Sequence, residues 1–191
     1  MNQRNMTAEE FLEHRPSLPD GGQWAELIRG VPVTLAPPDL EHGNIVLNFS
    51  KAFSQYVHST LHGYACFDLG LRVERNPDTV YFPAVSYFTT GPRFAEVDNQ
   101  ITDAIPTLVI ELATTNDRRR QISDRIHAYQ RHGIGTIWLV DPHARTVHLC
   151  QAGRVGNRRF DEDDQLTGGD ILPGFQFQVG DLFKPPAWAE E

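Results

Sequence analysis

Four side chains stand where a plain hydrophobic core would not put them. Glu111 lies inside the apolar run PTLVIELA at 106–113. On an alternating strand it shares a face with Thr107, Val109 and Ala113. A lone carboxylate there is unfavourable to bury, so it requires a partner, a metal or solvent. Arg125 follows Ile122 by three residues and precedes Tyr129 by four, so it flanks the apolar stripe of its helix. That helix follows the Glu111 strand directly. The guanidinium can therefore turn back to the carboxylate, or it can lie along the surface with a wet head. Glu26, in WAELIRG, and His42, in the first turn of a long helix, are weaker signals, since a histidine at a helix start is more often structural. Other catalytic patterns are absent: the sequence has no glycine-rich loop ahead of a helix, no G-x-S-x-G, no CxxC and no HExxH. His127 and His132 are five apart, which is not a metal-ligand spacing.

The elements that must position these residues follow from pattern. Thr7 with Glu10 three residues on forms a capping box for a short helix. Residues 24–29 and 31–36 read as a hairpin around Gly30. Asp39 can cap a helix whose apolar face is Ile45, Phe49, Phe53, Tyr56 and Val57, running to about Leu61. Residues 64–67, 69–74 and 80–88 read as strands, with Asn76-Pro77-Asp78 turning between the last two and a polar loop over 91–104. Residues 106–113 and 135–140 have the unbroken apolar character of buried strands. Between them, 118–132 is a helix with Ile122, Ile126 and Tyr129 as its stripe, ended by Gly133. Further strands are expected at 146–150 and 174–179, around an acidic loop at 161–164. A strand–helix–strand unit inside a hairpin-rich chain predicts a mixed α/β sheet flanked by helices, with the 106–113 and 135–140 strands interior.

With 191 residues the chain has room for one domain with a real core, taken as 1–191 with its body at about 6–183. Apolar residues make up 40% and no apolar run approaches the roughly 18 residues of a membrane span. The first residues are polar, without the apolar core of a leader, so the expected location is the cytoplasm. Cys66 and Cys150 each sit in a strand-like run and are expected as buried thiols. The net charge of -8 argues against non-specific attraction to phosphates. Yet from Arg118 to Arg159 there are nine arginines against Asp124 and Asp141, a surplus of seven positive charges. Either a basic patch beginning at Arg118, Arg119 and Arg120 meets nucleic acid, or these are a solvated helix face and loop.

The ordered pieces MTAEEFL (6–12), WAELIRG (24–30), PPDLEHGNIV (37–46), VYFPAVSYF (80–88), the run 106–134, TIWLVDP (136–142) and LPGFQFQVGDLF (172–183) together resemble the Uma2 family. That family, also grouped as DUF820, is a branch of the PD-(D/E)XK nuclease superfamily. The stretch 106–142 carries most of the likeness. The resemblance implies a restriction-endonuclease-like core and a DNA endonuclease that uses Mg²⁺ or Mn²⁺. In such an enzyme two carboxylates on neighbouring strands hold the metal, which polarises the scissile phosphate and lowers the pKa of a bound water. A helix lysine assists, and a Glu in the first hairpin and a His after it accompany them. A homo-oligomer, as a dimer, is expected besides, and no membrane association.

Position by position, Glu26, His42 and Glu111 match that pattern, while the family's Pro-Asp is Pro83-Ala84 and its helix lysine is Arg125. Ala84 has no oxygen to offer a metal, and arginine does not give up its proton in a protein. The expected function is therefore a nuclease-fold protein, catalytically impaired or inactive, that acts by binding nucleic acid or as an oligomer. The alternative is an active Mg²⁺-dependent endonuclease built on Glu111 with Glu26, His42 or Asp68. Asp68 enters because a hairpin turning at 76–78 would lay it opposite about Ser86, diagonal to Ala84. In either case Glu26, His42, Ala84, Glu111 and Arg125 should converge in one cleft, with Arg125 hydrogen-bonded to Glu111.

Overall fold

A computed structural model describes residues 5–154 and 156–189. In chain order the elements are α1 (Ala8–His14), β1 (Ala25–Ile28), β2 (Val31–Thr34), α2 (Leu40–Thr60), β3 (Tyr64–Phe67), β4 (Gly70–Glu74), β5 (Thr79–Tyr81), β6 (Val85–Phe88), β7 (Ile101–Thr102), β8 (Leu108–Leu112), α3 (Asn116–His132), β9 (Thr136–Asp141), β10 (Thr146–Gln151), β11 (Arg158–Phe160), β12 (Gln165–Thr167) and β13 (Gln176–Gln178). Each helix starts on the residue its sequence predicts or close to it. In α1 the Glu10 N–H donates to Thr7 Oγ1 at 3.2 Å and the Thr7 N–H to Glu10 Oε2 at 3.0 Å. Asp39 caps α2 through the His42 N–H at 2.9 Å. Thr115 caps α3 through the Arg118 N–H, and Gly133 ends it in the left-handed region at φ 104°, where a side chain would be strained.

The strands form two main sheets rather than the single central one expected. One has the order β2-β1-β5-β4-β7, the other β11-β10-β9-β8-β6-β3, and β12 with β13 makes a small ribbon. The six-stranded sheet is the central mixed sheet: β8 runs parallel to β9 and antiparallel to β6, so both buried strands are interior. Its two faces are served by alternation along β8. Leu108, Ile110 and Leu112 meet Ile45, Phe49, Phe53 and Tyr56 of α2, together with Trp138 and Phe175. Val109 faces the other way, towards Ala128 and Tyr129 of α3. The same cluster takes in Leu71, Val73 and Tyr81 of the five-stranded sheet. The α3 helix is thus a layer between the two sheets. The α1 helix covers the outer side of the five-stranded sheet, with Phe11 against Leu27, Val80 and Phe82.

The run 80–88, expected as one strand, is two. β5 belongs to the five-stranded sheet and β6 to the six-stranded one. Between them Phe82-Pro83-Ala84 carries the chain across. Pro83 has no N–H for a ladder, so this is where pairing must break. The split also corrects the position of Asp68. β3 pairs with β6 so that Cys66 faces Ser86 and Phe67 faces Val85. Asp68 and Ala84 follow just outside that pairing. The 91–104 loop contains the short β7, and β11 and β12 were not anticipated. Cys66 and Cys150 are free and buried. No helix among the described residues is long and apolar enough to cross a membrane.

Candidate functional site

The alternation of β1 turns Ala25 and Leu27 towards α1, which leaves Glu26 and Ile28 on the side of α3. The alternation of β8 turns Glu111 to α3 from the opposite sheet. Arg125, fully buried at 0% exposure, lies between them. Its Nη1 donates to Glu26 Oε2 at 2.5 Å. Its Nε and Nη2 donate to Glu111 Oε1 at 3.0 and 2.7 Å. The Tyr129 hydroxyl, one turn further along α3, donates to the same Glu111 oxygen. The second oxygen of Glu26 accepts the Phe82 N–H at 3.0 Å. The guanidinium carbon sits 4.3 Å from the centre of the Tyr81 ring. Burial works against the Arg125 charge, but Glu111 and Glu26 outweigh it and hold its pKa well above the ordinary arginine value. Burial, with Glu111 beside it, pushes Tyr129 well above the ordinary phenol value, although Arg125 opposes this.

An open pocket of about 280 Å³ adjoins this network. Phe82 stands between the two: its N–H serves Glu26 and its side chain lines the pocket. His42 and Asp39 enter from the start of α2, Asp68 from the β3–β4 turn, Ala84 from the sheet crossing and Arg118 from the first turn of α3. His42 Nδ1 lies 3.2 Å from Thr114 Oγ1. Burial, with Arg118 nearby, pushes the His42 ring down to about 4, against the pull of Asp39. Asp68 keeps an exposed surface, but desolvation raises its carboxyl above the usual range, with Arg15 and Arg118 opposing. Arg118 is 6% exposed, and its sealed Nε has no hydrogen-bond partner.

Of the five residues expected in one cleft, three share one hydrogen-bonded network and two line the adjoining pocket. Glu26, Glu111 and Arg125 meet in the sealed network, with the anticipated Arg125–Glu111 pair. His42 and Ala84 lie next door with Asp68. Of the nine arginines of 118–159, Arg120, Arg154 and Arg158 are exposed and outside any ion pair among the described residues, while others are engaged within the protein. Arg118 points inward and Arg119 Nε donates to the Ala113 carbonyl at 2.8 Å. Arg131, Arg145 and Arg159 are paired with Glu74, Glu162 and Asp161. One residue escapes the sequence reading of this site: Tyr129 reads only as core, although it shares a helix face with Arg125. Arg118 is named there, but for a surface patch, whereas Arg118, Ile122, Arg125 and Tyr129 are spaced as one face of α3.

The residues present do not fit a divalent metal. Such an ion takes several oxygen ligands. Here both carboxylates, Glu26 and Glu111, already hold the same guanidinium, and Ala84 offers none. Among the described residues no group of three or more His, Cys, Asp or Glu side chains is placed to hold a metal ion. A larger groove of about 580 Å³, lined by Trp138, Arg154 and Arg158 among others, contains none of the candidate residues.

Comparison with solved structures finds a putative nuclease of the DUF820 group from Anabaena variabilis, 21% identical, with a TM-score of 0.75 over 93% of this chain and 97% of that one. At that identity the likeness concerns the fold. No curated protein matches. The sequence model of the Uma2 family, described as putative restriction endonuclease, matches residues 8–180. With most of its length matched by that model, this chain belongs to the Uma2 family.

Proposed function

We propose that this chain binds nucleic acid on a nuclease fold and does not cleave it by a metal-dependent route. One observation carries the reading: Arg125 is enclosed between Glu26 and Glu111, where a fixed organic cation neutralises the carboxylates a metal would otherwise use. A divalent ion entering there would have to displace a buried guanidinium from its hydrogen bonds, or share the space with its charge. Both oppose binding, and Ala84 removes a further oxygen. The family membership supports nucleic acid as the ligand class.

The test is calorimetry with Mn²⁺ and a plasmid-nicking assay, run on the natural protein and on the double variant Ala84→Asp with Arg125→Lys. The natural protein should neither bind the metal nor nick, and should shift the anisotropy of a labelled oligonucleotide. The double variant should gain Mn²⁺ binding. Robust Mn²⁺-dependent nicking by the natural protein, abolished in Glu111→Ala, would overturn the reading.

A further inference from the structure

The pocket beside the network holds a buried cation without a partner. Arg118 is 6% exposed, and no hydrogen bond or ion pair within the described residues engages its guanidinium. Its Nε is sealed off, whereas its two Nη groups are not, so they are the donors left open to a ligand in the pocket. Asp68 lines the same pocket and feels the Arg118 charge, yet the two lie beyond ion-pair distance. A positive and a negative group held apart across one cavity leave room for a ligand that answers both. Trp24, Phe67, Phe82, Pro83 and Ala84 give the pocket apolar lining, and its second carboxylate, Asp39, is already engaged as the cap of α2 by the His42 N–H. A simple anion would satisfy Arg118 but face Asp68, and would gain nothing from aromatic walls. A cation would meet the reverse conflict. A neutral planar heterocycle with acceptors on one edge and donors on another meets all three features.

We propose that this pocket takes an unstacked purine base of the guanine type, with Arg118 at its acceptor edge and Asp68 at its donor edge. Guanine presents O6 and N7 to an arginine fork, and its amino group donates. Aromatic walls suit an unstacked base because every base has a π face. The cavity of about 280 Å³ is at the small end of ligand sites, which fits one ring system and not a base pair. The neutral His42 ring adds no charge to the balance. The proposal rests on the nucleic-acid reading and names the part of the ligand that is recognised.

The experiment is saturation-transfer NMR and calorimetry on the full chain with guanosine, adenosine and inorganic phosphate as separate probes. Guanosine should bind at least about ten-fold more tightly than adenosine, which offers a donor where guanine offers O6. Arg118→Met and Asp68→Asn should each weaken guanosine about ten-fold or more, the loss of one well-placed polar contact. Arg118→Met should change the melting temperature little, because the guanidinium has no hydrogen bond or ion pair within the described residues to lose. Phosphate binding as tightly as guanosine, or guanosine binding unchanged in both variants, would overturn the pocket. Guanosine binding without any oligonucleotide binding would keep the pocket and overturn the nucleic-acid role. Oligonucleotide binding that ignores both substitutions would do the reverse.

Discussion

Arg125 grips a single oxygen of Glu111 with two of its nitrogens, and the Tyr129 hydroxyl donates to that same oxygen. The remaining arm, Nη1, reaches the other sheet at Glu26. A buried charge cluster of this kind contributes little net stability when complete but is strongly unfavourable when broken.

Arg125→Met should therefore destabilise the fold by about 3–5 kcal/mol, because two buried carboxylates lose their counter-charge. The triple variant Glu26→Gln, Glu111→Leu, Arg125→Met should recover much of that loss. Urea denaturation of the three proteins checks both statements. A triple variant as unstable as Arg125→Met would mean that the charge balance is not what holds this site.

Tyr129→Phe removes one donor to Glu111 and leaves the packing of the ring against Tyr81 in place. The expected loss is about 1.5–3 kcal/mol, the range for a hydrogen bond to a charged group. Arg125 still covers Glu111, so the effect should stay below that of Arg125→Met. Chemical denaturation of the single and double variants reads the coupling between them.

The low pKa of His42 gives a signed pH dependence. An unfolded histidine takes up its proton near pH 6.5, whereas the folded one resists until about 4. The stability linked to His42 is present above 6.5 and lost as the pH falls towards 4. Asp68 acts in the opposite sense: its raised carboxyl adds stability in acid that disappears as the pH rises through its folded value. Melting temperatures between about pH 7 and pH 4.5 should fall less steeply in His42→Gln than in the natural protein. Equal slopes would show that another group governs acid lability.

Nucleic-acid binding should depend only weakly on salt. Arg125 is sealed, Arg118 faces the pocket, and Arg131, Arg145 and Arg159 are spent on internal pairs. Few exposed arginines of the 118–159 segment remain free to displace counterions, so the slope of log K against log salt should be smaller in magnitude than about 3. Anisotropy titrations over a salt series measure it directly. A steep slope would restore the continuous basic surface.

How much of this was legible in the sequence depended on the range of the interaction that decides each feature. The caps at Thr7 and Asp39, the β8–α3–β9 unit and the Arg125–Glu111 pair follow from residues near in sequence or from adjacent elements. The pair with Glu26 spans two sheets, and periodicity says nothing about which sheets face each other. The run 80–88 looked continuous because both halves are apolar; only Pro83 marks the crossing. β11 and β12 escaped because each is three residues long with a single buried side chain, Phe160 and Leu166. Arg118 was counted as a surface charge by residue type, although its helical spacing with Arg125 and Tyr129 already placed it inward.

The Phe82 N–H that meets Glu26 sits where the chain leaves one sheet for the other. Glu26 therefore fastens that crossover, while Arg125 ties the same carboxylate to β8. The consequence is mechanical. Besides their shared apolar packing, the two sheets and the helix between them are tied through this one buried cluster, so neither sheet can open alone without breaking it. Amide protons of β1 and β8 should exchange together, through one shared opening event, despite belonging to different sheets and lying far apart in the chain.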